Sequence, residues 1–524
     1  MQFVLRGMLF GLSASLLFST STVLAQEAAQ NGEERLSVEE IIPLVKQYCG
    51  GCHPVPHPTL LPRRSWPGVI NAMVELAEER TGQPFIPDDA VKHIKALYYG
   101  NSPEELPRLP YIDQAHPGMD FTEEFIGEAS SIPQILNVQA VDLGREARHS
   151  FLVSDGEAGQ LSLLETDGGK SPVWRETLLA QIDIPITARV ADLNQNGRSD
   201  ILVADLGEFM PIGKLAGKVF LLLQDEQGEF TKKPLMHNLG RVSDVQIADL
   251  NGNGHLDIAV AVFGGGEVGE VFWVENRPGE SFKKHDLLDL SGALNVTPVD
   301  LNGDGKMDLV SLVSQEHETL VGFINQGDGQ FERMDIVSGG HPLFGATSMI
   351  VEDLNRNGRP DIIFTNGDAF DTQSDPKPYH GVQWVENLGN LKFAAHDVGR
   401  LYGAANVAAG DMNGDGHLDL VASSWVNYWD DPKRQSLVWF ENDGKQNFQP
   451  RPISGNFRGL VPLELVDITG NGRLDIVTGA FRMDIVMALA LANPDSDEYP
   501  EPEDADDVDS NPRLMIFKNE AATP

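Results

Sequence analysis

The chain has 524 residues, with 39 Lys and Arg against 78 Asp and Glu and a net charge of −39. That balance excludes nucleic acid and anionic lipid as main partners, because both repel a polyanion. Hydrophobic residues make up 41% and charged residues 22%, so the acidity is not that of a disordered chain. The length allows more than one domain, and only two Cys exclude a disulfide-stapled scaffold.

Residues 1–25 read as a cleaved secretory signal. Arg6 is their only charge, Met8 to Phe18 is largely apolar, and Val23-Leu24-Ala25 ends on a small residue before Gln26. The apolar core is shorter than the ~20 residues a membrane span needs. The mature chain is expected to be periplasmic or secreted, with no membrane span.

Both cysteines lie in Tyr48-Cys49-Gly50-Gly51-Cys52-His53. C-x-x-C-H is the attachment pattern of c-type haem. Two thiols at this spacing add to the two vinyl groups on one side of a porphyrin, and the next residue, His53, becomes the proximal iron ligand. A thioredoxin-like dithiol is the rival. It lacks the surrounding βαβ pattern and has no use for the trailing His.

The flanks of the motif are helical in pattern. Ser37 to Tyr48 reads as a helix, with Ser37 as N-cap and Glu40 completing a capping box. Pro43 is a flaw in it, with the potential to kink it. Asp88 to Tyr99 reads as a second amphipathic helix, ended by Gly100. Helix, haem motif, loop and helix together resemble a small all-α class I cytochrome c domain over residues 26–105. Trp66 and Met73 are similar to the W-x6-M of many such domains, and the resemblance implies Met73 as the distal ligand. A thioether there would raise the reduction potential. His57 and His93 are the alternative ligands, and Met73 as an ordinary core residue is the plain reading. Residues 106–120 form a Pro-rich linker.

One pattern then recurs six times, D-x-[N/T]-x-[N/D]-G-x-x-D, with starts 57, 51, 53, 58 and 56 residues apart. Oxygen side chains at positions 1, 3, 5 and 9, with the carbonyl of position 7, suit a hard cation such as Ca2+. Gly at position 6 permits the sharp turn. The expected ligands are Asp192, Asn194, Asn196, Arg198 and Asp200 in the first loop. They are Asp249, Asn251, Asn253, His255 and Asp257 in the second, and Asp300, Asn302, Asp304, Lys306 and Asp308 in the third. The fourth offers Asp353, Asn355, Asn357, Arg359 and Asp361, and the fifth Asp411, Asn413, Asp415, His417 and Asp419. The sixth offers Asp467, Thr469, Asn471, Arg473 and Asp475. In each set the fourth residue contributes its carbonyl. A seventh, eroded copy surrounds Val141-Asp142-Leu143.

EF-hands are excluded. Position 12, where an EF-hand needs Glu, holds Val203, Val260, Ser311, Phe364, Ala422 or Thr478, and the flanks read as short β-branched strands. A metal-free Asx turn is the bland alternative. A third strand follows each loop, as in Val271–Asn276, Val382–Asn390 and Leu437–Phe448, and then a more polar fourth, as in His285–Leu290. Four strands per unit at this period predict a seven-bladed β-propeller over residues 121–524. The repeats resemble the FG-GAP or VCBS family of the integrin α-chain propeller. The last unit has its third strand at Arg513–Asn519 and then the chain ends, so Asp120–Ala129 is expected to supply its fourth strand and close the ring. The linker is then fixed against the propeller.

The six loops share one rim. The opposite rim carries the inserts Asn366–His380, Trp425–Arg434 and Asn493–Pro512, the last with nine acids and no base. Asp368, Tyr379, His380, Trp425 and Trp429 are its candidate ligand residues. The acidic insert reads as a solvated loop or as a site for a basic partner. No catalytic set is visible. The leading function is exported electron transfer, with haem c as carrier and the propeller docking a redox partner. A haem-linked oxidoreductase acting on an extracellular substrate is the alternative, and adhesion the second.

Overall fold

In the computed structural model the described residues are 36–521, apart from 52, 131, 145–146, 211–212, 265–267, 278–280, 371–375, 456 and 483–511. The signal segment, Cys52 and nearly all of the acidic insert lie outside them.

Seven four-stranded antiparallel sheets form the propeller. Blades 1 to 6 are simple meanders spanning 135–181, 185–239, 242–288, 293–338, 346–400 and 404–454. The second strand of blades 2 to 7 starts at the position-9 Asp of the loop and is buried along its whole length, as in Asp257–Val262 and Asp308–Val313. Both of its faces meet neighbouring blades, which explains the unbroken apolar run. Fourth strands lie outermost and alternate with solvent, as in Gln330–Ser338.

The core lies between blades rather than inside one sheet. Leu202 and Val219 of blade 2 pack with Val260, Phe272 and Val274 of blade 3. Leu514 and Ile516 of blade 7 pack with Val138, Phe151 and Val153 of blade 1. Each such side chain contributes about 1.5–3 kcal/mol by its burial.

The ring closes as the sequence predicts. Blade 7 takes two strands from Leu460–Val466 and Asp475–Ala480 and its third from Pro512–Ala521. Strand Met119–Ala129 completes it, pairing Asp120 with Glu520 and Ile126 with Leu514. A segment from before blade 1 and one from the last repeat thus share one sheet, and Met119–Ala129 covers the edge that Pro512–Ala521 would otherwise expose.

The linker is held against blade 6. Leu109 N–H donates to the Tyr402 hydroxyl at 2.6 Å, and Arg434 donates to the carbonyls of Leu109 at 3.0 Å and Pro110 at 3.4 Å. The Arg108 guanidinium lies 3.4 Å over the Tyr428 ring. His116 packs on Trp439 and faces Glu441.

Three helices precede the linker: α1 (Val38–Cys49), α2 (Trp66–Thr81) and α3 (Asp88–Asn101). The expected capping box is present, with the Ser37 amide donating to the Glu40 carboxylate at 2.8 Å. Helix α1 runs through Pro43 without a break in the assignment. Gly100 does not end α3. The Asn101 side chain and the Ser102 hydroxyl take the carbonyls of Leu97 and Tyr98 one residue later, and Pro103 follows. The sequence reading had no helix at α2, whose weak amphipathicity leaves only Trp66 and Ile70 buried. These two pack with Ile41, Val45, Leu61, Ile94 and Tyr98, and propeller residue Leu343 joins the same cluster. Arg80 pairs with Glu316 of blade 4 at 2.7 Å. The helices therefore sit on the rim opposite the acidic loops.

Candidate functional site

All six acidic loops occupy the turn between the first and second strands of blades 2 to 7. Their oxygens turn inward. In blade 3, Asp249 Oδ1 accepts from Gly252 N–H at 2.8 Å and Oδ2 from Gly254 N–H at 2.8 Å, while Asn253 Oδ1 accepts from His255 N–H at 2.8 Å. Position 6 is left-handed in every loop, as expected of its Gly. Position 4 is left-handed too, which the sequence reading missed. Gly fills it in blades 3, 4, 6 and 7, but Gln195 and Arg356 adopt φ of 56° and 55° in blades 2 and 5.

The position-9 carboxylates are buried and serve two neighbours. Asp308 Oδ1 accepts from Asn325 N–H at 2.7 Å and Oδ2 from Leu301 N–H at 3.0 Å. Burial pushes Asp257 up to about 6 and Asp419 up to about 7, and raises Asp200, Asp308, Asp361 and Asp475 as well. Asp361 stands apart. Its Oδ2 is buried with no hydrogen-bond partner. The Trp384 indole N–H favours its ionised form but does not meet that oxygen in hydrogen-bond geometry, and is itself without a partner. Such an orphan costs about 1–3 kcal/mol.

A second recurring residue, Asn, stands at the end of the third strand. The side-chain amides of Asn276, Asn325, Asn387 and Asn519 each donate to the position-2 carbonyl of the preceding blade's loop, at 2.9–3.0 Å. Asn276, Asn325 and Asn519 also donate to the position-8 carbonyl of their own blade, as Asn325 does to Met307 at 2.9 Å. The acidic loops of blades 2 to 5, and those of blades 6 and 7, are thereby stapled to one another.

Comparison with known proteins bears on this arrangement. The FG-GAP-like repeat model matches residues 192–260, 249–311 and 300–364, three successive windows that each span two acidic loops. The chain carries FG-GAP repeats. Integrin alpha pat-2 of Caenorhabditis elegans and its counterpart in Caenorhabditis briggsae are each 26% identical over 228 residues. The match covers 38% of this chain and 18% of the length of those relatives. The crystal structure of the exotype rhamnogalacturonan lyase YesX aligns with 12% identity and a TM-score of 0.38, over 68% of this chain and 72% of that one.

Among the described residues, no group of three or more His, Cys, Asp and Glu is gathered as a metal cluster. The six loops offer a mixed set of oxygens instead: two or three carboxylates, Asn or Thr side chains and a main-chain carbonyl. That set suits Ca2+, which takes 6–8 oxygens. The unpartnered oxygen of Asp361 fits such an ion.

The Cys-x-x-Cys-His segment follows the C-terminus of α1. Cys49 is half-buried, and burial pushes its thiol up. His53 Nδ1 lies 3.0 Å from the Pro54 carbonyl, which leaves Nε2 directed elsewhere. Lys46, Gly50, Gly51, His53, Pro54 and Val55 line an open cleft of about 510 Å³. A side chain at Gly50 would collide with the Lys46 carbonyl at 2.7 Å. Met73 shares a helical face with Trp66 and Ile70, yet it remains 41% exposed. His57 and His93 use Nδ1 locally, on Thr59 at 2.8 Å and on the Asp89 carbonyl at 2.7 Å.

The opposite rim is less open than the sequence suggested. The Trp425 indole donates to the Gly367 carbonyl at 3.0 Å and packs edge-on against Phe370 at 5.0 Å. Tyr428 is covered by the linker's Arg108, while Trp429 is half-buried. Asp368 caps Phe370 N–H at 2.9 Å, and its carbonyl accepts from Lys377 at 3.0 Å. Tyr379 donates to the Leu343 carbonyl at 3.0 Å. His380 is fully buried, neither ring nitrogen has a partner, and burial holds it well below the usual range. Most of these residues hold the inserts, the linker and the helices in place.

Proposed function

We propose that the protein is an exported electron-transfer protein. The helical segment within residues 26–105 carries one covalent haem c, and the FG-GAP propeller, stabilised by Ca2+ in its loops, docks a redox partner. The arrangement of His53 carries this reading. A ring N–H at Nδ1 held by a main-chain carbonyl fixes the tautomer and leaves Nε2 as a ligand beside an open cleft. Cys49 and Cys52 would hold the haem by thioethers, with His53 below it and Met73 as the distal ligand. Covered by a porphyrin, the exposed thioether of Met73 and the apolar face of Val55 would be buried. When bound, the haem supplies a one-electron iron couple. The chain supplies position, exclusion of water and a large recognition surface.

Among the described residues no helix is long and apolar enough to cross a membrane. The signal-like residues 1–25 support a periplasmic or secreted location. Anaerobic mixing of the purified protein with periplasmic cytochromes and with sugars or alcohols tests the reading. Exchange with a protein partner alone is expected, whereas reduction by a small molecule alone favours the haem-linked oxidoreductase. Adhesion is a second reading, favoured by the similarity to integrin alpha pat-2. It accounts for the propeller and leaves the Cys-x-x-Cys-His segment without a task.

A further inference from the structure

The blade 5 loop, Asp353–Asp361, differs from its counterparts in three ways. First, Asp361 Oδ2 has no donor, whereas Asp257, Asp308 and Asp419 receive the position-2 amide at 3.0–3.1 Å. Asp475 receives Thr469 N–H at 3.0 Å, and Asp200 the Asn194 amide at 2.9 Å. Second, the residue before the loop is Glu352, an exposed carboxylate where the other five have Ala191, Ala248, Val299, Gly410 and Val466. Glu352 and Asp353 line one cleft of about 440 Å³ with Gly358 and Arg359. Third, Asn442 of blade 6 donates only to Leu418 in its own blade, so the Leu354 carbonyl lacks the staple that the loops of blades 2, 3, 4 and 6 receive.

The rest of the cage is already formed. Asp353 accepts from Asn357 N–H at 2.8 Å and from Gly358 N–H at 2.7 Å, and Asn357 accepts from Arg359 N–H at 3.0 Å. A loop with its oxygens placed but one buried carboxylate oxygen unsatisfied gains more from a cation than a loop whose oxygens all have donors. Counting carboxylates inside the loops gives a different ranking, with blades 4 and 6 first through Asp304 and Asp415. In blade 4, however, the Lys306 ammonium sits on Asp304 at 2.8 Å.

We propose that the blade 5 loop is the tightest of the six Ca2+ sites and fills first. This rests on the calcium reading of the loops.

Calorimetric titration of the full chain with Ca2+, after stripping with EGTA, tests it. Asp361→Asn is expected to weaken the tightest event about tenfold and Glu352→Gln about threefold, while Asp419→Asn leaves it in place. If Asp361→Asn does not fold, Glu352→Gln decides. A tightest event unchanged in both blade 5 variants, or lost in Asp419→Asn, overturns the ranking. No heat of binding in the stripped wild type removes the calcium reading itself, and the ranking with it.

Discussion

The side-chain amide of Asn325 in blade 4 donates to the main-chain carbonyl of Leu250 in blade 3 at 2.9 Å, across 75 positions of sequence. The same amide reaches Met307 in its own blade at 2.9 Å. One side chain thus satisfies two loop carbonyls from two blades. Asn325→Ala is expected to destabilise the protein by about 2–3 kcal/mol, because two hydrogen bonds are lost and buried carbonyls are orphaned. Asn442→Ala, which loses a single donated bond to Leu418 besides the turn bonds that both Asn side chains accept, should cost about 1 kcal/mol less. Denaturant midpoints of the two variants check the order. Equal midpoints would mean that the inter-blade bond adds nothing.

Ring closure depends on strand Met119–Ala129. Ile126 is 2% exposed and packs with Ile135, Leu514 and Ile516. Ile126→Asp buries an unpaired charge at the joint, and loss of folded soluble protein or early unfolding is expected. Phe125→Asp is the control, since that side chain is 58% exposed, and it should leave the unfolding midpoint within about 0.5 kcal/mol of the parent.

Arg434 clamps the linker. It is 7% exposed, donates to Leu109 and Pro110, and lies 4.6 Å from the Tyr111 ring centre. Arg434→Ala should free the segment around Arg108 for trypsin and raise the cleavage rate there by about tenfold or more. Timed digestion with mass identification of the cut site measures this. An unchanged rate would show that the other linker contacts suffice.

His341 is buried beside Lys377, which pushes it down to about 4. Below about 6.5 the unfolded chain binds a proton that the folded chain refuses. The contribution of this group is therefore complete above about 6.5 and is lost as pH falls toward 4. Buried His380 acts in the same direction. The melting temperature of the wild type should fall more steeply than that of His341→Phe between pH 6.5 and 4. Parallel curves would contradict it.

Much of this molecule was legible from side-chain period and spacing. The loops recur with Asp, Gly and Asp in fixed places, so the blades and their order could be counted. The missing fourth strand of the last blade identified Asp120–Ala129 as its donor. The staple was harder to read, because Asn276, Asn325 and Asn387 look like ordinary turn formers until the neighbouring blade is placed beside them. Helix α2 was missed because only two of its side chains are buried, so its periodicity is faint. The rim residues were misjudged for a related reason. Trp425 and Tyr428 look like exposed binding aromatics in sequence, but Gly367 and Arg108 reach them from 58 and 320 positions away.

The central claim is that Cys49 and Cys52 hold a haem above His53. The most direct measurement is the alkaline pyridine haemochrome spectrum of the chain made with haem maturation and purified in denaturant. One c-type haem per chain, absent from Cys52→Ser, is the expected result. A wild type with no covalently held haem, or a Cys52→Ser variant with an unchanged spectrum, would contradict it.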